Sequence, residues 1–142
     1  MTTELASEPT QLEQKLSAPL AKVVWIIDDN EVDVFTIGKM FEHFLPTCNL
    51  QYFYSAQRAI THLALEPSVA VILLDIDMPV FNGWDFLDSI RLLDVACPIY
   101  ILTSSSDERD RIKASGFQVK GFFSKPLTRE NILTVAEECG LI

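Results

Sequence analysis

Polar side chains of three chemical types follow the short apolar runs of this sequence. They are the carboxylates Asp28, Asp29 and Asp75, the hydroxyl of Thr103 and the ammonium group of Lys125. Carboxylate oxygens are the ligands that a hard divalent cation such as Mg²⁺ prefers. A carboxylate can also act as a nucleophile towards a phosphoryl group when a metal ion and a cation screen the approaching negative charges. The set therefore has the groups needed to hold a divalent metal and a phosphoryl group on Asp75.

The apolar runs and the stretches between them predict the elements that position this set. Five runs are typical of strands: 23–27, 50–54, 69–74, 99–102 and 119–123. Five stretches with apolar residues at three- and four-residue spacing are typical of helices: 31–45, 56–65, 83–93, 108–115 and 129–139. Uninterrupted apolar runs favour strands buried on both faces, and their alternation with helices favours a parallel sheet. We therefore predict an α/β fold, a doubly wound five-stranded parallel sheet with helices on both faces.

The carboxyl ends of parallel strands joined by right-handed crossovers lie along one edge of the sheet. Ligands of open α/β sheets bind at that edge, where the strand order reverses. We expect Asp29 and Asp75 to be direct metal ligands there, with Asp28 acting directly or through water. Lys125 can screen a phosphoryl group. Thr103 can donate a hydrogen bond to that group only if its rotamer turns towards the site.

Each of these side chains has a simpler explanation when it is considered alone. Asp28, Asp29 and Asp75 are also typical caps of helices and turns. Thr103 begins a serine-rich stretch that is itself typical of a helix cap. Lys125 precedes a proline, as many solvated loop residues do. Their joint position at four strand ends, in this order along the chain, favours one common site.

The bulk composition bounds the class of protein. A chain of 142 residues with 49% hydrophobic and 22% charged residues is long enough for one domain with a filled core. Its formal net charge of −9 argues against direct binding of nucleic acid, which depends on Lys and Arg neutralising phosphates. No apolar run approaches the ~18 residues of a membrane-spanning helix, so no membrane association is expected.

The cysteines and the N-terminal segment indicate the compartment and the domain boundaries. Cys48, Cys97 and Cys139 are odd in number and widely spaced, which favours free thiols in a reducing cytosol. Residues 1–21 are rich in Thr, Ser, Glu and Pro and lack the regions of a signal peptide. We predict a cytoplasmic protein with a flexible N-terminal tail, 1–21, and one domain, 22–142.

Four motifs of the sequence resemble the receiver domain of two-component response regulators. They are Ile27-Asp28-Asp29, Asp75-x-Asp77-Met78-Pro79-x-x-x-Gly83, Leu102-Thr103-Ser104 and Lys125-Pro126. The resemblance covers nearly everything after the tail, and the motifs are specific in their order. It implies a flavodoxin-like (βα)5 fold with the strand order 2-1-3-4-5.

The resemblance also implies a role for each residue of the site. Asp75 is the expected phosphoacceptor, and Asp28 and Asp29 are expected to bind Mg²⁺, or Mn²⁺ in its place. The main-chain carbonyl of Asp77 is expected to complete the metal site. Two further side chains, Thr103 and Lys125, are expected to contact the phosphoryl group, and the peptide bond between Lys125 and Pro126 is expected to be cis.

Two residues depart from the pattern of this family. Phe122 stands at the switch position, which is often Tyr, so any inward and outward motion of this ring has no phenol hydrogen bond to use. Asp77 places an extra negative charge beside the phosphoacceptor. That charge can retard or promote loss of the phosphoryl group by repelling or positioning water, and the sign of the effect stays open.

The resulting expectation is a stand-alone response regulator receiver that acts as a phosphoacceptor and not as an enzyme. A partner histidine kinase or histidine phosphotransfer protein would phosphorylate Asp75 in a Mg²⁺-dependent reaction. The sequence stops soon after the fifth predicted helix, so signalling is expected to pass by contact with a downstream protein. The first predicted helix, 31–45, has apolar residues over more than one stripe of its surface. These residues form either a wide core face or an exposed docking patch for the kinase or phosphotransferase.

Two rival functions remain at this point. Asp75 and Asp77 also match the nucleophile and acid pair of haloacid-dehalogenase phosphatases, which place a further acidic pair after the lysine. Here the pair Asp28-Asp29 comes first, and after Lys125 only glutamates of the last helix follow. The other rival is a receiver that serves as a scaffold without being phosphorylated, which the complete set of site residues makes unnecessary.

Overall fold

The computed structural model describes residues 21–65, 68–93, 95–105 and 107–142. Five strands alternate with five helices along these residues: β1 (Val23–Ile27), α1 (Glu31–Phe44), β2 (Asn49–Phe53), α2 (Ala56–Leu65), β3 (Val71–Asp75), α3 (Gly83–Arg91), β4 (Ile99–Thr103), α4 (Glu108–Ala114), β5 (Gly121–Ser124) and α5 (Arg129–Glu138). No helix in the described part of the chain is long and apolar enough to cross a lipid bilayer.

The strands form one parallel sheet in the order β2-β1-β3-β4-β5. The predicted doubly wound five-stranded sheet and its strand order 2-1-3-4-5 are therefore confirmed. The chain leaves β1 in one direction to form β2 and returns past it to form β3, so the strand order reverses between β1 and β3. This reversal is the place where open α/β sheets bind ligands at their carboxyl edge.

Two layers of helices cover the sheet because β1, β3 and β4 are apolar along nearly their whole length and send side chains to both faces. Helices α1 and α5 pack on one face against a core that includes Val24, Ile26 and Leu73. Helices α2, α3 and α4 pack on the other face, where Trp25 and Leu74 are completely buried. The two cores bury the central strands on both faces and so position their carboxyl ends.

The predicted element boundaries agree with those in the structure to within two residues, and those of β1 and α2 agree at both ends. Strand β3 begins at Val71 and ends at Asp75, so the acid belongs to the strand instead of following it. Strand β5 begins at Gly121, and Lys125 directly follows its last residue. The predicted N-terminal tail, 1–21, lies outside the described residues except for its last residue.

Candidate functional site

The carboxyl ends of β1 and β3 lie side by side because these strands pair in parallel, with Ile27 opposite Leu74. Asp75 is the last residue of β3, and Asp28 directly follows β1. One carboxylate oxygen from each of Asp28, Asp29 and Asp75 lies within 4.8 Å of the others. The structure therefore brings together the three acids that were expected to share a metal site.

Asp28 and Asp75 are almost completely buried, whereas Asp29 is exposed. Asp28 Oδ1 accepts a hydrogen bond from the main-chain N–H of Asn30 at 3.0 Å. Asp75 Oδ1 accepts one from the main-chain N–H of Asp77 at 3.2 Å. These bonds orient both carboxylates but do not neutralise them, so the buried acids need a cation nearby.

Lys125 supplies a cation beside these acids. Its main-chain N–H donates to the carbonyl of Thr103 at 2.7 Å, which anchors it beside the end of β4. Its ammonium nitrogen lies 2.6 Å from Asp28 Oδ2 and 2.9 Å from Asp33 Oδ2. The nearest oxygen of Asp75 is farther away, at 3.6 Å. Burial alone would lower the pKa of Lys125, but its hydrogen bonds to Asp28 and Asp33 outweigh burial and raise that pKa.

The carboxyl group of Asp75 is strongly perturbed by its surroundings in the protein. Burial raises the pKa of Asp75 from 3.8 to about 7, and the negative charge of Asp28 acts in the same direction. The charge of Lys125 and the N–H of Asp77 oppose this rise but do not cancel it. A divalent cation at the cluster would favour the charged carboxylate, which is the form that can act as a ligand or a nucleophile.

Thr103 is completely buried at the end of β4, and its hydroxyl group is already engaged. The hydroxyl donates a hydrogen bond to Asp77 Oδ2 at 3.1 Å and accepts one from the main-chain N–H of Ser105 at 3.0 Å. Thr103 thus faces the side chain of Asp77 in this structure, and not Asp75. A contact between Thr103 and a phosphoryl group on Asp75 therefore requires the bond to Asp77 to break.

The loop after β3 depends on Gly83. A Cβ atom at this position would lie 2.7 Å from the Cα of Ile76 and 2.8 Å from the carbonyl oxygen of Asp75, so only glycine lets α3 begin so close to the strand. Asn82 and Asp85 cap the helix reciprocally, each side chain accepting a hydrogen bond from the main-chain N–H of the other. Helix α3 therefore starts against the carbonyl group of the expected phosphoacceptor.

Two expectations concern strand β5 and the residues after it. Phe122 is half-buried, and the guanidinium group of Arg111 lies over its ring, 4.8 Å from the centroid. The role of Phe122 in switching stays a prediction. The expected cis peptide bond between Lys125 and Pro126 is confirmed.

The acidic cluster fits a hard divalent cation. It offers oxygen ligands only, two of its carboxylates are buried and held by backbone N–H groups, and the third, on Asp29, is open to solvent. Magnesium prefers such ligands and keeps several waters, for which the exposed side leaves room. The part played by the main-chain carbonyl of Asp77 stays a prediction.

Sequence reasoning missed two contacts of the site. Asp33, in the first turn of α1, reaches the ammonium group of Lys125, 92 residues later in the chain. The side chain of Asp77 holds Thr103, whereas the sequence pointed only to its charge and its carbonyl group. The sequence offered one signal for Asp33, namely an acid in the first turn of the helix that follows Asp28. Acids are common in the first turn of any helix, so this signal did not point to a contact with Lys125.

Comparisons with known proteins identify the family and the fold of the chain. A family model described as the response regulator receiver domain matches residues 24–137. The chain is 24% identical over 123 residues to the probable methanogenesis regulatory protein FilR2 of Methanothrix harundinacea, a match that covers 82% of this chain and 79% of that protein. It is 30% identical over 63 residues to the cell cycle response regulator CtrA of Brucella ovis, a match that covers 44% of this chain and 27% of that protein. The crystal structure of a two-component response regulator from Cytophaga hutchinsonii is similar in fold, with a TM-score of 0.76 and 25% identity over 85% of this chain and 98% of that chain.

Proposed function

The chain belongs to the response regulator receiver domain family, and from this premise we propose that Asp75 accepts a phosphoryl group from a phosphohistidine on a partner kinase or phosphotransfer protein. The observation that carries the proposal is the meeting of three carboxylates and the Lys125 ammonium group at the carboxyl edge of the sheet. We propose residues 22–142 as the receiver domain and 1–21 as a tail.

Mg²⁺ is the cofactor that the proposal requires, with Mn²⁺ as a substitute. Asp28, Asp29 and Asp75 would hold it, and the main-chain carbonyl of Asp77 is the fourth proposed ligand. When bound, a divalent cation supplies positive charge that offsets the repulsion between the carboxylates and an incoming phosphoryl group. The all-oxygen composition of the cluster supports this choice of metal.

The chemistry of the transfer assigns a task to each side chain. A carboxylate oxygen of Asp75 attacks the phosphorus atom, a new P–O bond forms, and the P–N bond to the partner's imidazole breaks. The electron pair of the broken bond stays on the imidazole nitrogen. Lys125 offsets the charge of the phosphoryl oxygens, and it is placed to do so because it already lies 3.6 Å from Asp75.

The signal in this proposal begins when Thr103 changes its hydrogen-bond acceptor. In the unmodified protein the acceptor is Asp77, and a phosphoryl oxygen on Asp75 would replace it. Movement of Thr103 would alter the end of β4 and the packing of Phe122 on the neighbouring strand. A downstream protein would then recognise the altered surface, without direct contact to nucleic acid.

The exposed apolar residues of α1 are the proposed contact for the histidine-bearing partner. The apolar face of this helix divides in the structure, because Val34, Ile37 and Phe41 are buried whereas Val32 and Phe35 are 72% and 65% exposed. The helix begins three residues after Asp28, at the same edge as Asp75. A partner that brings a histidine to Asp75 must therefore lie against its first turns.

Replacing Val32 and Phe35 together by Ser is expected to slow phosphotransfer from the partner about tenfold or more, because central apolar contacts dominate interface energies. Leu65→Ser is the matched control, since Leu65 is 81% exposed but ends α2, which runs back towards the opposite edge of the sheet. Equal rates for the docking variant and the control would contradict the assignment of the docking face. Phosphorylation by a small donor should be unaffected in both.

The proposed function is tested by incubating the chain with a panel of histidine kinases that carry a labelled phosphohistidine. We expect Mg²⁺-dependent transfer from at least one kinase to wild-type protein and none to Asp75→Asn. Label on the Asn variant would exclude Asp75 as the acceptor. Multiple turnover of a phosphomonoester would instead indicate a phosphatase. A chain that binds a kinase without becoming labelled would indicate a scaffold.

The proposed location is the cytoplasm. The three cysteines, Cys48, Cys97 and Cys139, are free thiols in the structure. Free thiols are typical of a reducing compartment, which supports this location.

A further inference from the structure

The ammonium group of Lys125 lies at different distances from three carboxylates. Its ammonium nitrogen lies within hydrogen-bonding distance of Asp28 and Asp33, at 2.6 and 2.9 Å, but 3.6 Å from Asp75. The lysine thus donates its hydrogen bonds to Asp28 and Asp33 and makes only a longer ion pair with the proposed phosphoacceptor. Asp28 belongs to the metal cluster, whereas Asp33 lies outside it and contacts only Lys125 among the residues of the site.

Asp33 is held in place by the start of α1. Its main-chain N–H donates to the side chain of Asn30, which caps the helix, at 3.0 Å. Its carboxylate is 38% exposed, and the side chain of Lys125 is only 12% exposed. The contact therefore differs from the ordinary ion pair on the same helix between Lys39 and Glu42, whose side chains are both more than half exposed.

On the basis of the proposed function, we propose that Asp33 is a positioning residue that restrains the Lys125 ammonium group at this longer distance from Asp75 and competes with the phosphoryl group for it. An ammonium group has three N–H donors, of which two are engaged by Asp28 and Asp33. A phosphoryl group on Asp75 adds acceptor oxygens beside a carboxylate that Lys125 reaches only at 3.6 Å. The third N–H is available to these oxygens, but the bonds to Asp28 and Asp33 hold the ammonium group 3.6 Å from Asp75. Movement of Lys125 towards the phosphoryl oxygens therefore lengthens its bond to Asp33, so Asp33 stabilises the unmodified state.

The competition also connects the phosphorylation state to α1. Loss of the bond to Lys125 leaves Asp33 without its cation in the helical turn that carries Val32 and Phe35, the proposed contact for the phosphohistidine partner. The turn is tied to the end of β5 through Lys125 before transfer and is released from it afterwards. The partner thereby meets a different α1 surface once transfer is complete.

Beryllofluoride, a stable mimic of a carboxylate-bound phosphoryl group, measures this competition at equilibrium and independently of hydrolysis. In the presence of Mg²⁺, Asp33→Asn is expected to bind it about threefold more tightly than wild type, an effect typical of removing a partly exposed ion pair. Glu42→Gln removes one negative charge from the same helix and is the matched control, with unchanged affinity expected. The amide side chain introduced by Asp33→Asn preserves the size of the residue, so the fold should be retained.

A second measurement separates competition for Lys125 from general charge repulsion. In a Lys125→Met background, Asp33→Asn is expected to lose most of its effect on beryllofluoride affinity, because no ammonium group remains to be released. Nitrogen NMR of the Lys125 ammonium group should also change in Asp33→Asn and stay unchanged in Glu42→Gln.

The possible outcomes distinguish this proposal from the proposed function. Equal affinities of wild type and Asp33→Asn, equal shifts in Asp33→Asn and Glu42→Gln, or an undiminished effect in the Lys125→Met background would each overturn the role of Asp33 and leave the proposed function intact. A wild-type chain that neither binds beryllofluoride nor accepts a phosphoryl group would overturn both.

Discussion

Replacing Asp75 by Asn is expected to stabilise the metal-free protein at neutral and higher pH. Asp75 is 3% exposed and lies beside the buried Asp28, so burial and like charge raise the pKa of its carboxyl group from 3.8 to about 7. Unfolding returns the group to water and to its ordinary pKa. The folded state therefore binds more protons than the unfolded state between about pH 4 and pH 7, and stability falls as the pH rises through that window.

The size of the effect follows from the same pKa. A rise from 3.8 to about 7 corresponds to at most about 4 kcal/mol above pH 7, since each unit of pKa is about 1.36 kcal/mol. Rearrangement of Lys125 and entry of water reduce this figure, so we expect a gain of about 2 to 4 kcal/mol for Asp75→Asn at about pH 8. Near pH 4 the two proteins should differ little, because the carboxyl group is then largely protonated in the folded state.

Urea unfolding in the presence of a chelator, repeated from about pH 4 to pH 8, measures this difference. Asp88→Asn is the control, because Asp88 is an exposed carboxylate that pairs with the similarly exposed Arg91. Adding Mg²⁺ should stabilise wild-type protein and have much less effect on Asp75→Asn, since the variant lacks one metal ligand. A difference between wild type and Asp75→Asn that does not change with pH would refute the reasoning.

Three further changes test the loop after β3 by urea unfolding. Val80 has a φ of 65° and is completely exposed, so Val80→Gly should raise the free energy of unfolding by about 1 kcal/mol by relieving left-handed strain without losing a contact; a loss of stability would contradict this. Gly83→Ala should cost about 1 to 3 kcal/mol because the new Cβ meets backbone atoms of Asp75 and Ile76, and wild-type stability would show that the loop can shift freely. Asp77→Ala should be about 1 kcal/mol less stable than Asp77→Asn, because only Asn retains an acceptor for the buried hydroxyl of Thr103, and equal stabilities would exclude that hydrogen bond.

The sequence was sufficient for the fold and for the positions of the main site residues. The apolar runs ending at Asp28, Asp75 and Thr103 indicate buried parallel strands, and the topology of such a sheet brings their carboxyl ends to one edge. Lys125 joins them for the same reason, since it follows the next strand of the sheet. The positions of these four residues depend on the course of the backbone, and the pattern of apolar residues along the sequence is enough to predict that course.

The remaining contacts depend on which way individual side chains turn. Asp33 and Lys125 lie 92 residues apart, and their bond depends on the angle between α1 and the end of β5. Asp77 was expected beside the site, but the apolar pattern contains nothing about the rotamer that directs its carboxylate to Thr103. The pattern of α1 likewise gave a wide apolar face without indicating that Phe35 is part of its exposed side.

Magnesium-dependent incorporation of one phosphoryl group at Asp75 is the most direct test of the proposed function. The purified chain is incubated with acetyl phosphate, with Mg²⁺ or with a chelator, and its mass is measured before and after proteolysis. We expect a gain of one phosphoryl group per chain with Mg²⁺ only, located in the peptide that contains Asp75, and absent from Asp75→Asn. A phosphoryl group on another residue, or equal incorporation with the chelator, would contradict the proposed acceptor and its metal site.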